Sequence, residues 1–162
     1  MNTTAASRAV LSGRTKSMPR LLLPAVAMAM VFTSLACRAQ QASPGKLAIT
    51  VGDKVLTAAV ADSTTARDFV SLLPLTLTMK DLFKREKWAD LPRPLAEGGD
   101  RVRTYQVGDI IYWSPSDHVA IYYRHDGQSI PSPGIIVLAR IEAGAGALDV
   151  PGDVKVTIEA VK

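Results

Sequence analysis

Residues 107–124 read VGDIIYWSPSDHVAIYYR, and the fold turns on how this stretch divides. Val107-Gly108-Asp109 has the chemistry of a turn, and Ile110 to Trp113 is a short apolar run. Ser114-Pro115-Ser116-Asp117 is a second turn, and Val119 to Arg124 is the returning run. β-Branched and aromatic residues bounded by Gly, Pro, Ser and Asp mark two strands joined as a hairpin. Successive strand side chains point to opposite faces, so Tyr112 and Trp113 must diverge, as must Tyr122 and Tyr123. One of each pair fills a core. The other is expected to build an outer aromatic surface of the kind that binding grooves use.

The alternation continues on both sides. Leu47, Ile49 and Val51 alternate with Ala48 and Thr50, Gly52-Asp53 turns, and Val55 to Val60 returns, which gives another hairpin. The order Gly-Asp leaves its turn type open. Ala66, Phe69, Val70 and Leu73 fall at i, i+3, i+4 and i+7 and predict a helix ended by Pro74. Asp62, Ser63 and Thr64 are candidate caps, and Thr65 and Asp68 have capping-box spacing. Leu75 to Met79 alternates strictly and reads as a half-buried strand. Lys80 to Glu97 mixes charges of both signs and reads as solvated surface, while Pro92 and Pro94 cannot sit in a central strand. His125 to Gly134 is loop, Ile135 to Ile141 a strong strand, and Glu142 to Leu148 short helix or irregular chain. Asp153 to Ala160 closes the domain, with Val154, Val156 and Ile158 on one face. A mainly β chain with about eight strands and one or two short helices predicts a small closed antiparallel barrel. Phe69 and Leu73 are expected to plug one end, with Val119 and Ile121 inside.

Composition excludes several functions. The 162 residues carry 19 basic and 15 acidic side chains, a formal charge of +4. Four of the basic residues (Arg8, Arg14, Lys16, Arg20) lie in residues 1–36, which hold no acid, so the remainder is neutral. Without a basic stripe to neutralise phosphates, nucleic acid is not an expected partner. One cysteine rules out an intrachain disulfide, and two histidines leave a multi-His metal site without ligands. No dinucleotide, P-loop or nucleophile-elbow motif occurs, and Gly144-Ala145-Gly146 lacks the third glycine. Asp117-His118 and His125-Asp126 read as turn aspartates beside surface histidines. Neither a cofactor nor a metal is expected.

The first segment reads as an address. Residues 1–20 are polar and basic, and 21–36 (LLLPAVAMAMVFTSLA) carry no charge. Sixteen residues at about 1.5 Å each reach about 24 Å, short of a hydrocarbon core of about 30 Å. Residues 1–36 are therefore expected to be a signal peptide rather than a spanning helix. Ser34-Leu35-Ala36-Cys37 resembles a bacterial lipobox, with Ser34 in place of the usual leucine. Cys37 is expected to be lipidated, with residues 37–45 as a tether and 46–162 as the folded domain. The expected location is the cell envelope, held by the lipid anchor. Cleavage at Ala36 or Ala39, giving a soluble periplasmic or secreted protein, is the alternative.

Taken in order, several runs resemble the small bacterial cyclophilin-like domain. They are Thr50 to Lys54, Thr65 to Phe69 with Leu72 to Leu77, Leu91 to Leu95, Val107 to Ile110 with Tyr112 to Pro115, Val119 to Arg124, and Leu138 to Ile141. The resemblance covers about residues 46–160. It implies a cyclophilin-type antiparallel barrel with capping helical pieces. Isomerase activity is not implied. Prolyl isomerases of the family carry a Phe-His-Arg-like motif and a Gln-Gly-Gly-Asp stretch. Here Leu91-Pro92 precedes Arg93, and Glu97 precedes Gly98-Gly99-Asp100.

The expected function is a non-catalytic module, anchored on the envelope, that binds a peptide or small-molecule ligand. A prolyl isomerase with Arg93 as its arginine is the alternative, and an accessory domain to a flavodoxin-like redox partner is a further one. The ligand is expected to meet Arg93, Tyr112, Trp113 and Tyr122. Arg93 is flanked by two prolines that restrain the backbone, and its guanidinium can stack on a ring or fork to a carboxylate. Its other expected use is an ion pair with a surface acid such as Glu97.

Overall fold

The computed structural model describes residues 45–161. The expected signal peptide, Cys37 and the tether up to residue 44 lie outside the described residues. Nine strands run in chain order: β1 (Lys46–Val51), β2 (Lys54–Val60), β3 (Leu75–Leu82), β4 (Glu86–Asp90), β5 (Arg101–Val102), β6 (Asp109–Trp113), β7 (His118–Tyr122), β8 (Ile135–Ile141) and β9 (Val154–Val161). Helix α1 (Thr64–Val70) follows β2, and a 3-10 turn, Ala145–Leu148, precedes β9. Neighbours are antiparallel in the order β2-β1-β9-β3-β4-β7-β6-β8, and β8 returns to β2 through Ala58–Ile141 to Val60–Ala139. Eight strands thus close a barrel, with the two-residue β5 laid on β8 outside the ring. Closure pairs edges that would otherwise be open templates for another chain.

The strands differ by how many faces they bury. In β1, Leu47, Ile49 and Val51 point inward and the residues between them are partly or fully exposed, as in a one-sided strand. By contrast β6 (DIIYW), β7 (HVAIY) and β8 (IIVLARI) are buried along nearly their whole length. Their continuous apolar runs serve two layers. Tyr112, Val119, Ile121 and Leu138 join the barrel core, while Ile111, Ala120, Tyr122 and Ile135 face a second cluster outside it.

Both expected hairpins form. Val51 pairs with Lys54 across Gly52-Asp53, and Gly52 has φ +60° while Asp53 has no positive φ, the signature of a II′ turn. Phe69 is wholly buried and Leu73 partly buried against the same core, beside Val119 and Ile121. The helix is capped by Ser63, whose Oγ accepts from Ala66 N at 3.0 Å. The expected Thr65–Asp68 capping box does not form. Thr65 lies inside the helix and accepts from Gly98 N, and Asp68 is spent on Arg93 and Ala96 N.

The reading of residues 80–97 as solvated surface is corrected by β3, which runs on to Leu82, and by β4. β4 pairs with β7 along all five of its residues. The charges of Glu86 and Lys87 are buried because they are paired, while Asp90 at the strand end is exposed. Lys87 is fully buried inside the barrel, its Nζ 2.7 Å from the carbonyl oxygens of Val150 and Gly152 and 2.9 Å from Asp81 Oδ2. Buried charge survives only with such compensation.

Candidate functional site

Cross-strand register brings the outer-face side chains together. Glu86 stands opposite Tyr122, Trp88 opposite Ala120 and Asp90 opposite His118. On the other side of β7, Ile111 stands opposite Ala120 and Trp113 opposite His118. The loop after β7 crosses this face and adds Ile130 and Pro131, and Tyr105 packs in from the segment before β6. The tip of the β3–β4 hairpin adds Leu82 and Phe83. Between these parts lies an open cleft of about 300 Å³, at the small end of ligand sites.

Its floor is apolar and its walls aromatic. At one end Tyr105 and Tyr122 stack with ring centroids 3.9 Å apart, and Tyr105 stacks on His125 at 4.7 Å. The Arg85 guanidinium lies 5.1 Å over the Phe83 ring and 5.8 Å over Tyr122. Phe83 is 70% exposed at the mouth, and both it and Lys84 have positive φ (56° and 54°). Two consecutive non-glycine residues in the left-handed region are a local strain.

Arg85 anchors the polar part of this end. It donates to Glu86 Oε1 through Nε and Nη2, each at 3.3 Å, and to Asp126 Oδ2 through Nη1 at 3.0 Å. Tyr105 donates to Asp126 Oδ1 at 2.5 Å. Burial raises the Glu86 carboxyl above its ordinary range, opposed by the Tyr122 hydroxyl and Arg85. The Tyr105 hydroxyl, the Gln128 backbone N–H and Arg85 hold Asp126 down at about 2. Burial, with Glu86 alongside, pushes the Tyr122 hydroxyl well above the tyrosine range.

The other end is set by β7. His118 Nε2 is 2.9 Å from Asp90 Oδ1, and its ring lies on Trp88 with centroids 4.3 Å apart. Ser116 lines the same end.

Of the residues expected to meet a ligand, Trp113 and Tyr122 line the cleft, and Arg93 and Tyr112 do not. Tyr112 faces the barrel core, where its hydroxyl donates to Asp117 Oδ1 at 2.5 Å and accepts from Leu95 N at 3.2 Å. Arg93 binds Asp68 through both terminal nitrogens, at 2.8 and 2.6 Å, and Glu97 pairs with Arg101 instead. The Arg93 bond, more than any other contact, keeps the Asp68 carboxyl far below its ordinary range. The divergence expected within each aromatic pair is seen, yet Tyr122 and Tyr123 are both buried, because the outer face is itself roofed. The sequence pattern does not mark Arg85, Glu86, Trp88 or His118, which also line the cleft. A tryptophan inside the charged run 80–90 was the available signal.

Among the described residues no group of His, Cys, Asp and Glu could hold a metal ion, and no helix is long and apolar enough to cross a membrane. The cyclophilin-like family, as a sequence model, matches residues 49–159. The solution structure of a hypothetical protein from Archaeoglobus fulgidus superposes with a TM-score of 0.59 at 16% identity. The match covers 76% of this chain and 99% of that one, and at such identity it speaks for the fold alone. No curated protein matches the sequence.

Proposed function

The chain belongs to the cyclophilin-like family, and from that premise we propose that it is a non-catalytic binding module held on the cell envelope, with the outer-face cleft as its ligand site. The observation that carries this reading is the second apolar layer on β4, β7, β6 and β8. A barrel needs one core to fold. The outer cluster leaves an aromatic-walled cleft with exposed Phe83 at its mouth, and exposed apolar surface around a concavity marks binding. The strong acid and base within it are spent on each other, Arg85 on Glu86 and Asp126, which favours binding over catalysis.

Prolyl isomerisation is the second reading. Its support is a guanidinium at the edge of an apolar cleft, since rotation about X-Pro needs no nucleophile and its barrier is about 18–20 kcal/mol. Both readings are tested on labelled protein with a panel of peptides and small molecules, scored by NMR shift changes. Perturbations should centre on Trp88, Trp113, Tyr122 and Ile130. Perturbations confined to Asp53 and Asp149 would refute the cleft. Catalysed cis/trans exchange of a proline peptide that disappears in Arg85→Ala would replace the binding module with an isomerase.

A further inference from the structure

We propose that the cleft selects an uncharged, ring-bearing molecule with one hydrogen-bond donor, and that His118 Nδ1 is the atom that reads the donor; this rests on the cleft being the ligand site. The polar groups at the Arg85 end are engaged with one another, since Arg85 is held by Glu86 and Asp126, and Tyr122 faces Glu86. Arg85 is bonded by two carboxylates, Glu86 and Asp126, so an anion would lose hydration there without finding an unpaired cation, and a cation would meet carboxylates already held by Arg85.

The Ser116–His118 end differs. A carboxylate only accepts, so the 2.9 Å contact with Asp90 calls for a proton on Nε2. With that proton alone on the ring, Nδ1 is an acceptor. A tilted contact with Trp88, the ring planes 33° apart, holds the imidazole in place. Among the described residues no side-chain or backbone group donates to Nδ1, and no buried side-chain polar atom lacks a partner, so Nδ1 stands open to solvent or ligand. An acceptor at the rim of an apolar cleft whose charged groups are already paired rewards a hydroxyl or N–H on a ring. It offers nothing to a hydrocarbon and opposes a carboxylate. The volume of about 300 Å³ suits one such ring-bearing group.

The test uses the full chain. Toluene, p-cresol and 4-methylbenzoate are titrated by NMR at about pH 8, above the ordinary range of imidazoles. p-Cresol should bind about two- to tenfold tighter than toluene, the span of one net hydrogen bond, and 4-methylbenzoate weakest. In His118→Phe, which keeps a ring on Trp88, p-cresol and toluene should bind equally. Asp90→Asn, at an exposed position, offers Nε2 an amide that can donate as well as accept, so Nδ1 is no longer held as an acceptor. The p-cresol preference should then fall and 4-methylanisole, an acceptor only, should gain. Equal binding of toluene and p-cresol to the parent chain, or a ranking unchanged in both variants, overturns the role of His118 while the cleft stands. No shift at cleft residues with any probe overturns the cleft and this inference together.

Discussion

Lys87 and Asp126 are charged groups with opposite settings. Lys87 is fully enclosed, and three oxygens receive its three protons. Lys87→Met would leave Asp81 with Tyr123 and a backbone donor, and two carbonyls bare. The loss should be about 3 kcal/mol of stability, with part recovered in Lys87→Met/Asp81→Asn. Urea unfolding reads both, and an unchanged midpoint would mean that the ammonium contributes nothing. Asp126 acts through pH. Its pKa is lowered from 3.8 to about 2, so the folded state binds this proton less readily than the unfolded chain. Its stabilisation is present above 3.8 and drains away as pH falls toward about 2. Asp68, bonded to Arg93, pulls in the same direction, whereas Glu86, raised by burial, pulls in the opposite one. In Asp126→Asn the urea midpoint should fall less steeply across that window than in the parent. An identical slope would assign the acid limb to other carboxylates.

Helix α1 and strand β4 show what a sequence discloses about an element. α1 was legible because its apolar spacing states its face, and Phe69 does reach the core. Phe69→Ala should cost about 3–5 kcal/mol, while Ser63→Ala, which removes only the cap to Ala66 N, should cost about 1 kcal/mol. Thermal or urea unfolding of the two variants separates packing from capping, and equal losses would contradict this division. β4 was illegible because the residues that make it a two-faced strand are charged. Glu86 and Trp88 go outward and Lys87 inward, but the partners that permit this burial are Arg85 and Tyr122 for Glu86, and Asp81 with the carbonyls of Val150 and Gly152 for Lys87. Apart from Arg85 and Asp81 these are distant in the chain, Val150 and Gly152 by 63 and 65 positions. No local pattern announces them. The cleft suffered accordingly. For its β6 and β7 walls, period-2 reasoning says that one of each aromatic pair faces out but not which one, so Tyr112 is expected beside Trp113 although only Trp113 lines the cleft, and its β4 wall is not announced at all. Arg93 looked like a ligand contact for its restrained backbone, and only the fold shows Asp68 beside it.

The charge balance of the chain bears on how an envelope anchor would work. Residues 37–162 carry equal numbers of basic and acidic side chains. A neutral body gains nothing from the negative surface potential of a membrane, where each added Lys or Arg contributes about 1 kcal/mol. Attachment would then rest on the acyl chains alone, at about 0.8 kcal/mol for each buried methylene. Eight residues lie between Cys37 and Lys46, nine chain steps that reach at most about 32 Å, so the anchor permits the barrel to stay near the surface without requiring a contact. The mature chain should begin at Cys37 with the mass of a lipid added, and it should sediment with membranes at low and high salt alike. Cys37→Ser should either leave the chain unprocessed or release it completely, with no salt-sensitive residue of binding. A mature form beginning at Gln40 by intact mass would refute the anchor. Salt-dependent retention of Cys37→Ser would mean that a charged face of the barrel holds the membrane instead.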